Sequence, residues 1–154
     1  MNLRPGAHQD IPVLDAIALE AKAHWGYSIE QLQAWREDLL IQSDLLIARP
    51  ICVAEESGQL IGYAQVATDT LPWELCAVWV SPHCMGRGVG TALLAWAREF
   101  AATGKQHELA IDADPNAASF YVSCGARLVG TVAAPIASNP HRVRPQLVLS
   151  TSAV

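Results

Sequence analysis

Three glycines fall within five positions, Gly86, Gly88 and Gly90, in the stretch CMGRGVGTALL at residues 84–94, and apolar residues with helical spacing follow at once. A backbone that bare in front of a helix serves close packing or it serves an anion. The first N–H groups of a helix have no partner inside it, they attract negative charge, and glycine lets a phosphate approach where a Cβ would collide. The spacing G-x-G-x-G breaks the G-x-G-x-x-G fingerprint of dinucleotide folds, and Gly90 stands where a Walker loop requires Lys before Thr91. The anion chemistry that remains is a diphosphate held by backbone amides, without a lysine and without a metal.

The other reactive side chains are sparse. Cys52, Cys76, Cys84 and Cys124 form no C-x-x-C pair and no zinc-like spacing with histidine, so they read as reduced and mostly buried, with Cys84 beside the glycines the one to watch. Lys and Arg number 10 against 15 Asp and Glu, for a formal charge of −5. That balance offers no basic stripe for nucleic acid and mildly favours a cationic small molecule. No run approaches membrane-spanning length, and the start lacks a basic segment with a continuous apolar core. The expectation is one cytoplasmic domain, residues 1–154, whose 51% hydrophobic content supplies a single core.

These groups need elements to position them. Asp10 can cap a helix with Pro12 in its first turn and Ile11, Leu14, Ile17, Ala18 and Ala21 on one face, fading over residues 24–26. Ser28 and Gln31 have capping-box spacing and open a second helix through Leu32, Trp35, Leu39 and Leu40. Residues 51–55 and 60–68 read as a hairpin about the turn at 56–59, and 73–80 as a strand stopped by Ser81-Pro82. Residues 91–103 form an amphipathic helix with Leu93, Leu94, Ala97 and Phe100 or Ala101 inward, ending at Gly104. A strand at 108–113, a short helix at 117–123 and a strand at 127–132 follow. Residues 133–145 make a loop and 146–149 close the sheet. Helices then cover a mixed sheet in an α/β or α+β architecture.

With that placement, VWVSPHCMGRGVGTALLAWA resembles the motif A region of the GNAT superfamily of acyl-CoA N-acyltransferases, in which a strand, the loop Q/R-x-x-G-x-G/A and a helix hold the pyrophosphate of coenzyme A. IDADPNAASFYVSCGARLVG is similar to motif B, where an Asn precedes a short helix carrying a Tyr. AHWGYSIEQLQAW is similar to small single-domain bacterial members. The resemblance covers nearly the whole chain. It implies a mostly antiparallel central sheet of six to seven strands, splayed after the fourth, flanked by about four helices.

It also implies roles. N–H groups from Met85 through Thr91, hence Met85, Gly86, Arg87, Gly88, Val89, Gly90 and Thr91, surround the pyrophosphate of acetyl-CoA, the co-substrate. Met85 replaces the family's Gln or Arg, leaving Arg87 to add charge. Val78, Trp79 and Val80 pair with the pantetheine arm as an added strand, Asn116 steadies it from the other side, Phe120 belongs to the same cofactor-binding set, and Tyr121 lies near the arm's sulfur. Trp25 and Tyr27 face the acceptor, a small-molecule or peptide amine, and stacking on a cation competes there with simple pinning of two helices. His141, Arg142 and Arg144 read as a solvated loop, with contact to phosphate or a carboxylate as the alternative.

The chemistry that follows is acetyl transfer by direct attack in a ternary complex. An alkylamine of pKa about 10 must lose a proton to attack, and a thiolate of intrinsic pKa about 8.5 must gain one on leaving. Tyr121 suits the acid, a strand N–H near Val78 the oxyanion, and Glu74, two residues before Cys76, the base, directly or through water. Cys76 occupies the place of the glutamate many relatives carry, and a covalent route through it lacks a partner histidine. No metal is called for. A non-catalytic acyl-CoA sensor is the alternative function, and a homodimer is compatible with either.

Overall fold

The computed structural model describes residues 1–152. In chain order it comprises β1 (Asn2–Pro5), α1 (Ile11–His24), α2 (Ile29–Leu39), β2 (Ile51–Glu56), β3 (Gln59–Ala67), β4 (Glu74–Val80), α3 (Val89–Thr103), β5 (Glu108–Asp112), α4 (Ala118–Ser123), β6 (Arg127–Ala133) and β7 (Val143–Ser150). The seven strands make one sheet in the order β1-β2-β3-β4-β5-β7-β6. Every neighbouring pair is antiparallel except β4 and β5, which are parallel and register only at Glu74 opposite Ala110. The expected splay after the fourth strand is therefore present.

Alternation along β2 assigns the two faces. Ile51 and Val53 pack with Tyr63 against Leu14, Ile17 and Ala18 of α1. Cys52 and Ala54 pack with Ile61 and Ala64 against Val89 and Leu93 of α3. Further along α3, Leu94, Ala97 and Ala101 cover Leu75, Leu109, Ile111, Leu147 and Leu149. The inward sets expected for both helices are observed except for Ile11, which is only half-buried, and on α3 Ala101 is fully buried with Phe100 at the margin.

Local chemistry sets the ends. The Ser28 hydroxyl accepts from the Gln31 N–H at 3.1 Å and starts α2, and Gly104 closes α3 by donating to the Phe100 carbonyl at 3.1 Å. Asp10 departs from its expected role. Its side chain does not cap α1; it accepts from the Ala7 N–H at 2.8 Å and from both terminal nitrogens of Arg4 at 2.9 and 3.0 Å, tying β1 to the helix start. β1 itself carries too short a pattern to anticipate, and β7 is longer than expected and lies between β5 and β6.

A β-bulge shapes β4. Its register with β3 passes from Gln65 opposite Ala77 to Val66 opposite Leu75, so Cys76 is the extra residue. Leu75 consequently joins the α3 face, whereas Ala77 and Trp79 join the α1 face.

α3 lies close on the sheet where β3 has Gly62. A Cβ there would sit 2.8 Å from the Trp79 carbonyl oxygen and 3.3 Å from both Leu93 and Val89 side chains. Backbone cannot give way cheaply, so Gly62→Ala is expected to cost about 1–3 kcal/mol by overpacking. Urea denaturation checks this, and an unchanged midpoint would show that both the β4 backbone and the α3 side chains yield at this point.

Candidate functional site

Because β4 and β5 touch at one rung and then part, the β4 backbone beyond Glu74 faces open space on its β5 side. In an antiparallel pair every second residue turns its N–H and C=O away from its partner, so the residues along Val78–Val80 that β3 does not engage present theirs to this space. A cleft fills it. One lobe, about 460 Å³, is lined by Trp25, Val78, Trp79, Val80, Met85, Gly86, Gly88, Val89, Gly90, Thr91, Asn116, Phe120 and Tyr121, among others. A second lobe, about 330 Å³, shares Trp25, Val78, Trp79, Ala117 and Tyr121 with the first and adds Lys22, Asp38, Cys76, Asp112, Asp114, Arg142 and Arg144. Thirteen positions selected from the sequence thus meet in one lobe, and three of the selected positions, Arg87, Tyr27 and Glu74, line neither.

The glycines divide the two uses between them. Gly86 and Gly88 hold φ of +76° and +83°, a region side chains rarely adopt, and nothing lies within 4 Å of where their Cβ atoms would be. They shape a bare loop. Gly90 instead makes room for a neighbour, since a Cβ there would lie 3.1 Å from the Phe120 ring. No side chain caps α3, and its first backbone bond runs from the Ala92 N–H to the Gly88 carbonyl. The N–H groups of Val89, Gly90 and Thr91 therefore have no helical partner, and they stand where the lobe lining runs. Two parts of the expected cradle differ. The Met85 N–H is already bonded to the Pro82 carbonyl at 3.3 Å, and the Arg87 guanidinium is paired with Glu56 at 2.6 Å, away from the lobe.

Tyr121 sits where the lobes join, buried, its ring 5.3 Å from that of Phe120. Burial, then the nearby Cys124 and Asp114, push its phenol well above the usual tyrosine range. It remains a proton donor at neutral pH. Asn116 lines the first lobe with its amide nitrogen committed to the Tyr27 hydroxyl at 3.2 Å and to Asp114 at 2.9 Å. Its side-chain carbonyl is left as the acceptor.

Trp25 leans on Trp79 with centroids 5.6 Å apart. Tyr27, expected to face an acceptor, is structural: its hydroxyl donates to Asp114 at 2.8 Å and its ring meets Trp35 edge-on at 4.8 Å. Glu74 stands at the closed rung. Burial followed by Asp112 raises the Glu74 carboxyl above its usual range. Desolvation and then Glu74 push the Cys76 thiol up to about 11, which removes the thiolate a covalent route needs.

The sequence reading missed the floor of the second lobe. Asp114 accepts five hydrogen bonds: from Lys22 at 2.6 Å, Tyr27 at 2.8 Å, the Asn116 N–H at 2.8 Å, the Asn116 amide at 2.9 Å and Arg142 at 3.3 Å. Arg142, read as part of a solvated loop, is buried. The available signal was Lys22 itself, four residues after Ala18 on the inward face of α1. Burial alone would raise the Asp114 carboxyl; the bonds from Lys22, Asn116 and Tyr27 outweigh it and hold it below the usual range. Burial also pulls the Lys22 ammonium down, against Asp114. The two shifts oppose each other in sense, and the five donors decide for an ionised carboxylate.

A carboxyl whose folded pKa is depressed stabilises the fold above its unfolded value, about 3.9, and that support is lost as pH falls through the folded value. Asp114→Asn strands two buried cations, so a loss of about 3–5 kcal/mol is expected at pH 7, narrowing in acid below the unfolded value. Denaturation at both pH values measures it; equal stability at pH 7 would mean that the cluster is not charged.

Comparison with known proteins bears on this geometry. Residues 48–125 match the family model described as acetyltransferase (GNAT) domain. The peptidyl-lysine N-acetyltransferase YiaC of Escherichia coli (strain K12) is 26% identical over 98 residues, 63% of this chain, and the match spans 64% of that relative's length. The fold is similar to a GCN5-related N-acetyltransferase from Rhodopseudomonas palustris, with TM-score 0.80 and 24% identity over 97% of this chain and 94% of that one. It is similar also to the PaiA N-acetyltransferase of Thermoplasma acidophilum in complex with coenzyme A, with TM-score 0.78 and 18% identity over 97% and 98% of the two chains. With half of its length matched by the model, including β4, the glycine loop, α3 and α4, the chain belongs to the GNAT acetyltransferase domain family.

Proposed function

We propose that the protein transfers an acetyl group from acetyl-CoA to a primary amine by direct attack in a ternary complex. The observation that carries this is the meeting of three things in one cleft: an unpaired β4 edge, an uncapped α3 N-terminus behind a side-chain-free loop, and a buried neutral phenol. A sheet edge suits the amides of pantetheine, a bare helix start suits a diphosphate, and a phenol suits a departing thiolate. The solved relative with bound coenzyme A and the lysine-acetylating relative support the same reading.

The residues divide the work. The N–H groups of Gly86, Arg87, Gly88, Val89, Gly90 and Thr91 hold the diphosphate, with no side-chain cation from Arg87. The backbone of Val78, Trp79 and Val80 holds the pantetheine arm, and Asn116 accepts from that arm through its free carbonyl. Phe120 closes the lobe over Gly90. A strand N–H near Val78 receives the oxyanion, and Tyr121 protonates the sulfur. Glu74, set back at the closed rung, accepts the amine's proton through water, and its raised carboxyl is better matched to that task than an ordinary one. Trp25 borders the acceptor end. A cytoplasmic location, where acyl-CoA donors and amines coexist, suits this activity.

Release of free thiol from acetyl-CoA over a panel of amines tests the reading, because an acyl-CoA sensor would bind without turnover. Tyr121→Phe is expected to lower kcat about 10²-fold while the KM for acetyl-CoA stays put; unchanged turnover removes Tyr121 from the mechanism. Glu74→Gln is expected to displace the rising limb of the pH–rate profile, and a superimposable profile would assign Glu74 to the fold alone.

A further inference from the structure

The floor of the second lobe holds more positive charge than negative. Lys22, 11% exposed, and Arg142, 6% exposed, share a single carboxylate, that of Asp114, itself 5% exposed. The other charges of the lobe do not correct this. Arg144 and Asp112 pair with each other at 3.0 Å near the surface, and Asp38 is exposed at the end of α2. Burying a charge without an opposite one is costly, and the lowest-cost way to complete such a site is a bound anion.

The donors are unsaturated as well. An ammonium has three N–H donors, and Lys22 spends one, on Asp114. Arg142 gives its terminal nitrogens to the Ala134 carbonyl, Tyr27 and Asp114, while its buried Nε has no partner among the described residues. Aromatic faces hold the cations in place, Lys22 at 4.6 Å and Arg142 at 5.0 Å from the Trp35 centroid, but rings bring no negative charge.

Resting on the acetyltransferase reading for the neighbouring lobe, we infer that Lys22 and Arg142 form a carboxylate subsite, so that the acceptor is a small amino acid whose own carboxylate is held on the lobe floor while its amine points toward Tyr121. The lobe has room for about eleven water molecules at liquid density, enough for such a molecule. The negative overall charge that favoured a cationic acceptor does not describe this lobe, because charge is recognised locally.

The test pairs each of the standard amino acids, together with β-alanine and 4-aminobutyrate, with its amide or its decarboxylated amine. Thiol release is measured for every pair, and calorimetry measures binding of the same compounds to the protein without acetyl-CoA. The expected result is at least one acceptor preferred tenfold or more in kcat/KM over its carboxylate-free partner, with a matching preference in binding. Lys22→Met should abolish that preference through the acceptor KM, leaving the KM for acetyl-CoA unchanged, and Lys22→Arg should restore part of it. Lys22→Met leaves one cation for one carboxylate, so the fold survives, and its melting temperature verifies this.

Equal use of both members of every pair, binding of neither member, or a preference for lysyl peptides with amidated ends overturns the inference. Carboxylate-dependent binding that Lys22→Met removes, without thiol release from any compound, would keep the subsite and overturn the transfer reaction.

Discussion

β4 and β5 hold each other at one place, where the Ala110 N–H donates to the Trp73 carbonyl at 2.9 Å and Glu74 lies opposite Ala110. The cleft described above follows from the strands separating beyond it. A continuous ladder would spend the backbone of β4 on β5, and the sheet would have no interior edge. The separation costs hydrogen bonds, and packing elsewhere on the sheet sustains it. α3 ties the two halves of the sheet together across one face, covering β3 and β2 with Val89 and Leu93 and β5 and β7 with Leu94, Ala97 and Ala101. Its own N-terminus is thereby delivered to the mouth of the gap.

Two kinds of bareness meet there for different reasons. Gly86 and Gly88 are required by the path of the chain, with positive φ and no neighbours, whereas Gly90 is required by Phe120. The contact of Gly90 with Phe120 joins the start of α3 to α4. A Cβ at Gly90 would require the Phe120 ring, one residue before Tyr121, to give way slightly. The glycine loop and α4 thus meet through one ring.

The sequence disclosed what is local. Helical faces of α1 and α3, the Ser28 cap and the glycine loop depend on residues within a few positions, and their patterns are visible in the chain. It concealed what depends on distant partners. β1 is four residues that pair with the far end of β2 about fifty residues later, and Asp10 is drawn from its helix by Arg4. The bulge at Cys76 appears only when β4 is set against β3, and it puts Leu75 and Ala77 on opposite faces where simple alternation gives them one. Arg142 looks like a solvated loop residue because its partners are 28 and 115 positions away in the chain. Trp25 and Tyr27 are adjacent in type and nearly so in position, yet one borders the cleft and the other is anchored beneath it.

That anchoring links the two lobes. The Tyr27 hydroxyl donates to Asp114 and accepts from Asn116 and Arg142, which exhausts its one proton and two lone pairs. Asn116 therefore has its amide nitrogen fixed on Tyr27 and Asp114, and its side-chain carbonyl is left free at a residue that lines the first lobe. Shared networks of this kind are strengthened by the low dielectric around them, and they resist partial dismantling. Neutralising the excess cation with an acceptor's carboxylate would relieve repulsion between Lys22 and Arg142 and tighten both on Asp114.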